Sequence, residues 1–218
     1  MSCSICEKRK EKRFCPAVHE RICPQCCGEQ REVTLDCPHD CVYLQQAREH
    51  EKPRTLENLD QIALFPEVEI PEQFLYEHEH LIVGLSFALA QSARSDRALA
   101  DRDFLAALGS AAKTYETLVN SGLVYETPLA GLGQQGVVAQ LQKMVKDYRD
   151  AEQKNLGYSR LRDSEVLRAL VFLLRMGHAR TSGRPKSRAY VDFLLAQFPA
   201  KDSAIAAPDE ASSRIVVP

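Results

Sequence analysis

The sequence predicts a small metal-stabilised N-terminal finger followed by an all-α helical domain of about five helices. Two observations carry this reading. All eight cysteines fall between Cys3 and Cys41, and none follows. From residue 73 to about 199, apolar side chains recur at helical spacing, with no convincing strand-period segment. The chain has 218 residues and 44% hydrophobic residues, enough for one medium core plus a small module. Its 28 basic and 30 acidic residues leave a net charge of -2, which gives no global sign of a nucleic-acid binder.

The finger spans residues 1 to about 50. Its apolar residues, among them Ile5, Phe14, Ile22, Leu35 and Leu44, can form only a small core. A module of this size needs a metal or disulfides to stay folded. The N-terminus lacks the apolar stretch of a signal peptide, so a cytoplasmic location is expected. In a reducing compartment clustered cysteines favour metal over disulfides.

Zinc takes four thiolate or imidazole ligands in a tetrahedron, and a C-x2-C turn presents two sulfurs to one ion. Cys3/Cys6 with Cys23/Cys26 is therefore the natural first site. Cys15, Cys27, Cys37 and Cys41 remain and would complete a second, so two zinc ions are expected. Cys15 lies between the two knuckles of the first site, so the sets interleave and imply a cross-braced fold. Cys26 and Cys27 can serve different sites, because neighbouring side chains of an extended segment point opposite ways. Gly28 would then relieve crowding at the turn. His19 and His39 are alternative ligands for the second site. Eight thiols on two ions leave no open position for catalysis, and there is no H-E-x-x-H arrangement. The spacing does not match the cysteine runs of iron–sulfur ferredoxins.

This pattern resembles cross-braced double zinc fingers of the treble-clef, HIT-finger or MYND type. The resemblance covers residues 3 to 41. It rests on the alternating C-x2-C pairs Cys3/Cys6 and Cys23/Cys26; the chain differs in having no C-x2-C at Cys15 and in its Cys26-Cys27 doublet. It implies a protein-interaction module rather than an enzyme.

Residues 51 to 72 read as an acidic linker broken by Pro53, Pro66 and Pro71. It is either a solvated connector or, through Leu64-Phe65-Pro66, a docking segment. The helical domain, 73 to 199, is expected to hold five helices in an irregular bundle. The first covers Gln73 to Ala93. The second starts near Asp101, whose side chain can cap free amides, and stops near Gly122. A third covers Gln135 to Lys154. Asp163 or Ser164 caps a fourth, and Pro185 opens a fifth that ends at Pro199. Residues 200 to 218, rich in Ala, Ser and Pro, are expected to form a flexible tail. The longest apolar run, Leu81 to Ala90, is too short for a bilayer, which needs roughly 20 residues.

Arg175 to Arg188 holds five Lys or Arg, one His and no carboxylate. Arg180, Arg184, Lys186 and Arg188 are candidate anion ligands, because free helix amides and Arg forks favour phosphate. The bland alternative is a loop whose charges balance the acidic linker. Glu77-His78-Glu79-His80 reads as a wet helix surface, since adjacent helical residues cannot converge on one ion. The functional expectation is a non-enzymatic zinc-binding adaptor with a protein partner. The alternatives are a nucleic-acid-associated regulator using residues 175 to 188, and a thiol/zinc redox sensor.

Overall fold

The computed structural model describes residues 1–51 and 64–199. The expected flexible tail and most of the expected linker lie outside these residues. Among the described residues there are two short strands and eight helices, not five. Two of the additional helices belong to the finger, and a third arises because the expected first helix of the bundle is broken.

The finger is built from a hairpin and two helices. Strands β1 (Arg13–Cys15) and β2 (Glu20–Ile22) pair antiparallel, with Cys15 opposite Glu20. The turn between them places His19 at φ 55. Helix α1 (Pro24–Gln30) follows at once. Cys23 is its N-cap: the thiol accepts the amide of Cys26, and Pro24 takes a position where the missing N–H is harmless. Helix α2 (Val42–His50) buries Leu44. The Cys26-Cys27 doublet therefore lies on a helix, not on an extended segment. The two side chains separate because successive helical residues are rotated by about 100°. Gly28 is also helical, and a Cβ there would meet nothing within 4 Å, so no crowding calls for glycine.

The helical domain contains α3 (Glu72–Glu77), α4 (Glu79–Ser95), α5 (Asp101–Ser121), α6 (Leu132–Leu156), α7 (Asp163–Arg180) and α8 (Ala189–Gln197). The break between α3 and α4 falls at His78, whose backbone (φ -114, ψ 24) leaves the helical region. The His78 ring is tilted against Phe74, and its Nε2 lies 3.8 Å from Glu165. Glycines in the left-handed region end α5 (Gly122, φ 72) and α6 (Gly157, φ 82), where an L side chain would be strained.

Leu81, Leu85, Leu89, Phe104, Leu108, Leu170, Leu173 and Leu174 form one continuous core across α4, α5 and α7. Gly177 lets α5 and α8 approach α7: a Cβ there would sit 2.8 Å from Leu105 Cδ2 and 2.9 Å from Tyr190 Cε1. Tyr190 is fully buried and donates to the Leu173 carbonyl at 3.2 Å. Leu64 and Phe65 are buried too, and Phe65 joins this core. Arg175 holds that segment by donating to the carbonyls of Leu64, Phe65 and Val68. The Leu64-Phe65-Pro66 segment thus docks on the helical domain rather than on the finger.

Two helix starts differ from expectation for one reason. Asp101 does cap free amides, but those of another helix. Its Oδ1 accepts the Tyr190 and Val191 amides at 3.1 Å each, and its Oδ2 accepts the Ser187 hydroxyl at 2.6 Å. The start of α5 is capped instead by Asp103, which accepts the Ala100 amide. Helix α8 accordingly begins at Ala189, and Pro185 sits in the preceding turn rather than in its first turn. At α7, Glu165 accepts the amide of the N-cap Arg162, while Asp163 pairs with Arg149.

Candidate metal centre

The knuckle at Cys3 is a tight turn. The Glu7 amide donates to the Cys3 carbonyl at 2.8 Å, and Glu7 adopts φ 56. The second knuckle is the start of α1. The two meet because the Cys23 amide donates to Cys3 Sγ at 3.1 Å. As a result the ligand atoms of Cys3, Cys6, Cys23 and Cys26 all lie within 4.8 Å of one another. Cys3, Cys23 and Cys26 are buried and Cys6 is half-buried. This is the only such cluster of three or more Cys, His, Asp or Glu side chains among the described residues. The sequence-based first site is therefore assembled as four thiols with metal-ligand geometry.

Electrostatics show why the cluster suits a cation. Burial pushes the Cys3 thiol up, but the amides of Cys6, Cys23 and Ile5 outweigh it and hold the group at about 6. The Cys26 amide does most to lower Cys23, with help from Arg9. Cys26 goes the other way: burial, then the thiols of Cys23, Cys6 and Cys3, push it up to about 12. Four negative sulfurs this close cannot coexist unaided, whereas a bound divalent cation deprotonates its thiol ligands outright. Arg9, whose charge favours the Cys23 thiolate, would offset part of the negative charge of a four-thiolate site.

The second set is less tightly drawn. Cys15, Cys27, Cys37 and Cys41 all line one small pocket of about 10 Å³, close to one water-sized sphere. Their sulfurs do not meet the 4.8 Å spacing of the first set. Arg13 donates to Cys27 Sγ at 3.6 Å and stacks over Tyr43 at 4.5 Å. Burial, and the proximity of Cys41 and Cys15, raise the Cys37 thiol against the lowering effect of the Glu32 amide. His19 and His39 are exposed, and neither belongs to the four-thiol cluster.

Sulfur is also most of the finger's interior. Its buried cluster consists of Cys3, Cys15, Cys23, Cys26, Cys27, Ile22 and Leu35. Ile22, Leu35 and, on α2, Leu44 are the buried aliphatic side chains of the finger; at about 1.5–3 kcal/mol each they are too few to order a module of this length.

The basic segment is spent within the chain. Arg184 Nη1 donates to the carbonyls of Gly28 (3.0 Å) and Arg31 (2.7 Å), the open C-terminal end of α1. Lys186 Nζ reaches the Thr34 carbonyl and Asp36, at 2.9 and 2.8 Å. Arg188 donates to the carbonyls of Arg97 and Leu99. Arg180 lies 3.5 Å from the centroid of the Phe193 ring. Among the described residues Arg184 and Lys186 thus turn to the finger, while Arg180 and Arg188 turn to the helical domain and Arg175 to the segment 64–68.

Sequence reasoning missed the residue at the centre of this joint. Glu32, 2% exposed and at φ 53, accepts from Arg48 (2.9 Å) and from the Ser182 hydroxyl (2.9 Å). Its carbonyl accepts the Lys186 amide at 2.8 Å. Arg48 also pairs with Asp192 of α8 at 2.8 Å. A glutamate between Arg31 and Val33 carries no sequence signal of burial.

Together these features define a small module, with a four-cysteine cluster that could hold a metal ion, packed against a helical domain. No family model, curated protein or solved structure matches the chain. No helix among the described residues is long and apolar enough to cross a membrane.

Proposed function

We propose that this protein is a non-enzymatic adaptor whose finger is held by two structural zinc ions and whose surface binds a protein partner. The observation that carries the reading is the sulfur interior: the finger has almost nothing else to fold around. Cys3, Cys6, Cys23 and Cys26 would hold the first ion as a closed tetrahedron, leaving no open position for a reacting water. Cys15, Cys27, Cys37 and Cys41 would hold the second, contracting by small side-chain movements onto the cavity they share. Zinc supplies folding free energy at such sites, about 10–16 kcal/mol in isolated zinc fingers. The finger's docking on Arg184 and Lys186, and its own Arg48 paired with Asp192, then present both parts as one surface.

The nucleic-acid reading gains no support from residues 180 to 188, whose cationic groups are engaged within the chain. The test is affinity capture from the source cells by the full chain, compared with Cys23→Ser. A defined protein retained by the intact chain and lost with Cys23→Ser is expected. Recovery of nucleic acid in its place would count against the adaptor reading.

A further inference from the structure

Finger and helical domain do not close completely against each other. Beside the Glu32 joint they leave an open cleft of about 890 Å³. One wall is the finger segment Cys37-Pro38-His39. The other is the C-terminal end of α4 with the turn after it, bearing Arg94 and Arg97, and α8 contributes Leu195. Arg188 lines the cleft as well.

The charge is one-sided. Among the described residues that line the cleft are three arginines and one carboxylate, Asp192, which is already paired with Arg48 at 2.8 Å. Arg188 is held by the carbonyls of Arg97 and Leu99, which fixes its position without neutralising it. The guanidiniums of Arg94 and Arg97 have no hydrogen-bonding or ionic partner among the described residues. In a chain of net charge -2 this is a local reversal of sign. Cations set between low-dielectric walls concentrate their field on whatever enters.

We infer that this cleft is a binding site for an acidic peptide segment of a partner protein. Arg forks fit carboxylates in a bidentate manner. Pro38, Leu195, Ala196 and Pro199 supply apolar surface between and beside them, suited to an apolar side chain among the acids. Among the described residues no Phe, Tyr or Trp lines the cleft, so they offer no stacking platform of the kind single-stranded nucleic acid uses. A volume near 890 Å³ accommodates a short extended segment. The site joins the two halves of the molecule: without a folded finger the Pro38 wall is lost. The inference therefore rests on the adaptor reading and names its surface.

The experiment is fluorescence anisotropy of a labelled octapeptide of Glu and Asp carrying two Leu residues, titrated with the full zinc-loaded chain. The zinc content of the same sample is measured alongside. Saturable binding is expected, weakened roughly tenfold or more by the pair Arg94→Gln and Arg97→Gln, which removes two charge-assisted contacts. Arg102→Gln, an exposed arginine outside the cleft, should leave binding unchanged. No saturable binding, or equal binding by the double variant, would overturn the inference. An oligothymidylate that displaces the peptide at equal or lower concentration would overturn it in favour of nucleic acid. A sample with two zinc ions that ignores the peptide removes the cleft alone, whereas a sample without zinc removes the module reading first.

Discussion

The two halves of this molecule hold themselves together by different means. The helical domain packs leucines, alanines, Phe104 and Tyr190 into one continuous aliphatic core. In the finger five of the seven side chains buried in its cluster are cysteines; Ile22, Leu35 and, on α2, Leu44 are its buried aliphatic residues. Periodic burial of apolar area stabilises the first and is spread over more than a hundred residues. In the reading proposed above, metal coordination stabilises the second and is concentrated in a few thiols. The difference means that one side chain decides the fold of the finger, while no single side chain decides that of the bundle.

The largest effect should come from the thiols. Cys26→Ser removes a buried ligand from the first cluster, and the finger should unfold while residues 73 to 199 stay helical. Zinc analysis and circular dichroism of the variant, beside the separate helical fragment, check this. A disordered fragment would show that the halves fold as one unit. Cys37→Ser applies the same test to the second set.

Next in size is the bundle's own concentrated contact. Asp101→Ala would leave the Tyr190 and Val191 amides and the Ser187 hydroxyl without their buried acceptor, at a cost of about 3 kcal/mol. Urea denaturation should show this loss in the helical transition with zinc content unchanged. An effect far smaller than the loss of a zinc ligand is what the comparison requires.

Helix periodicity made most of the bundle legible, and C-x2-C spacing made the first cluster legible, because both are local patterns. Asp101 was visible as a cap, but its target was not. The amides it accepts lie 89 and 90 residues away, and no local pattern records such a distance. The break at His78 was hidden for a different reason: the apolar spacing runs on through it, and only the packing of its ring against Phe74 marks the interruption. In the finger, α1 and α2 are only seven and nine residues long, too short to display a helical period. The partners of Arg184 and Lys186 were not legible because they are mainly backbone carbonyls, which every sequence has and no sequence displays.

The joint between the halves offers a smaller test. Glu32→Gln weakens the contacts to Arg48 and Ser182 while keeping the shape, and should cost about 1–2 kcal/mol. A double-mutant cycle with Arg48→Ala should recover a coupling energy between the two positions. Additive effects would show that the halves are not coupled through this pair.

The smallest effect is a pH dependence within the bundle. Burial raises the Glu152 carboxyl, but the Ser159 hydroxyl and the Leu161 and Arg160 amides outweigh it and leave it below its ordinary value. A carboxyl depressed in the folded state stabilises it fully above the unfolded value, about 4.3, and loses that contribution as pH falls through the folded value. Glu152→Gln should therefore cost up to about 1 kcal/mol at neutral pH, with the difference vanishing in acid. Thermal denaturation at the two pH values measures it. An equal loss in acid would mean that the three hydrogen bonds do not depend on charge.

The central claim is that metal coordinated by two sets of four thiols takes the place of a hydrophobic core in the finger. Native mass spectrometry of protein isolated without chelator, together with thiol alkylation, tests it most directly. The account predicts two zinc ions and eight protected thiols. One zinc ion with Cys15, Cys27, Cys37 and Cys41 freely alkylated, or no zinc and a disulfide mass shift, would contradict it.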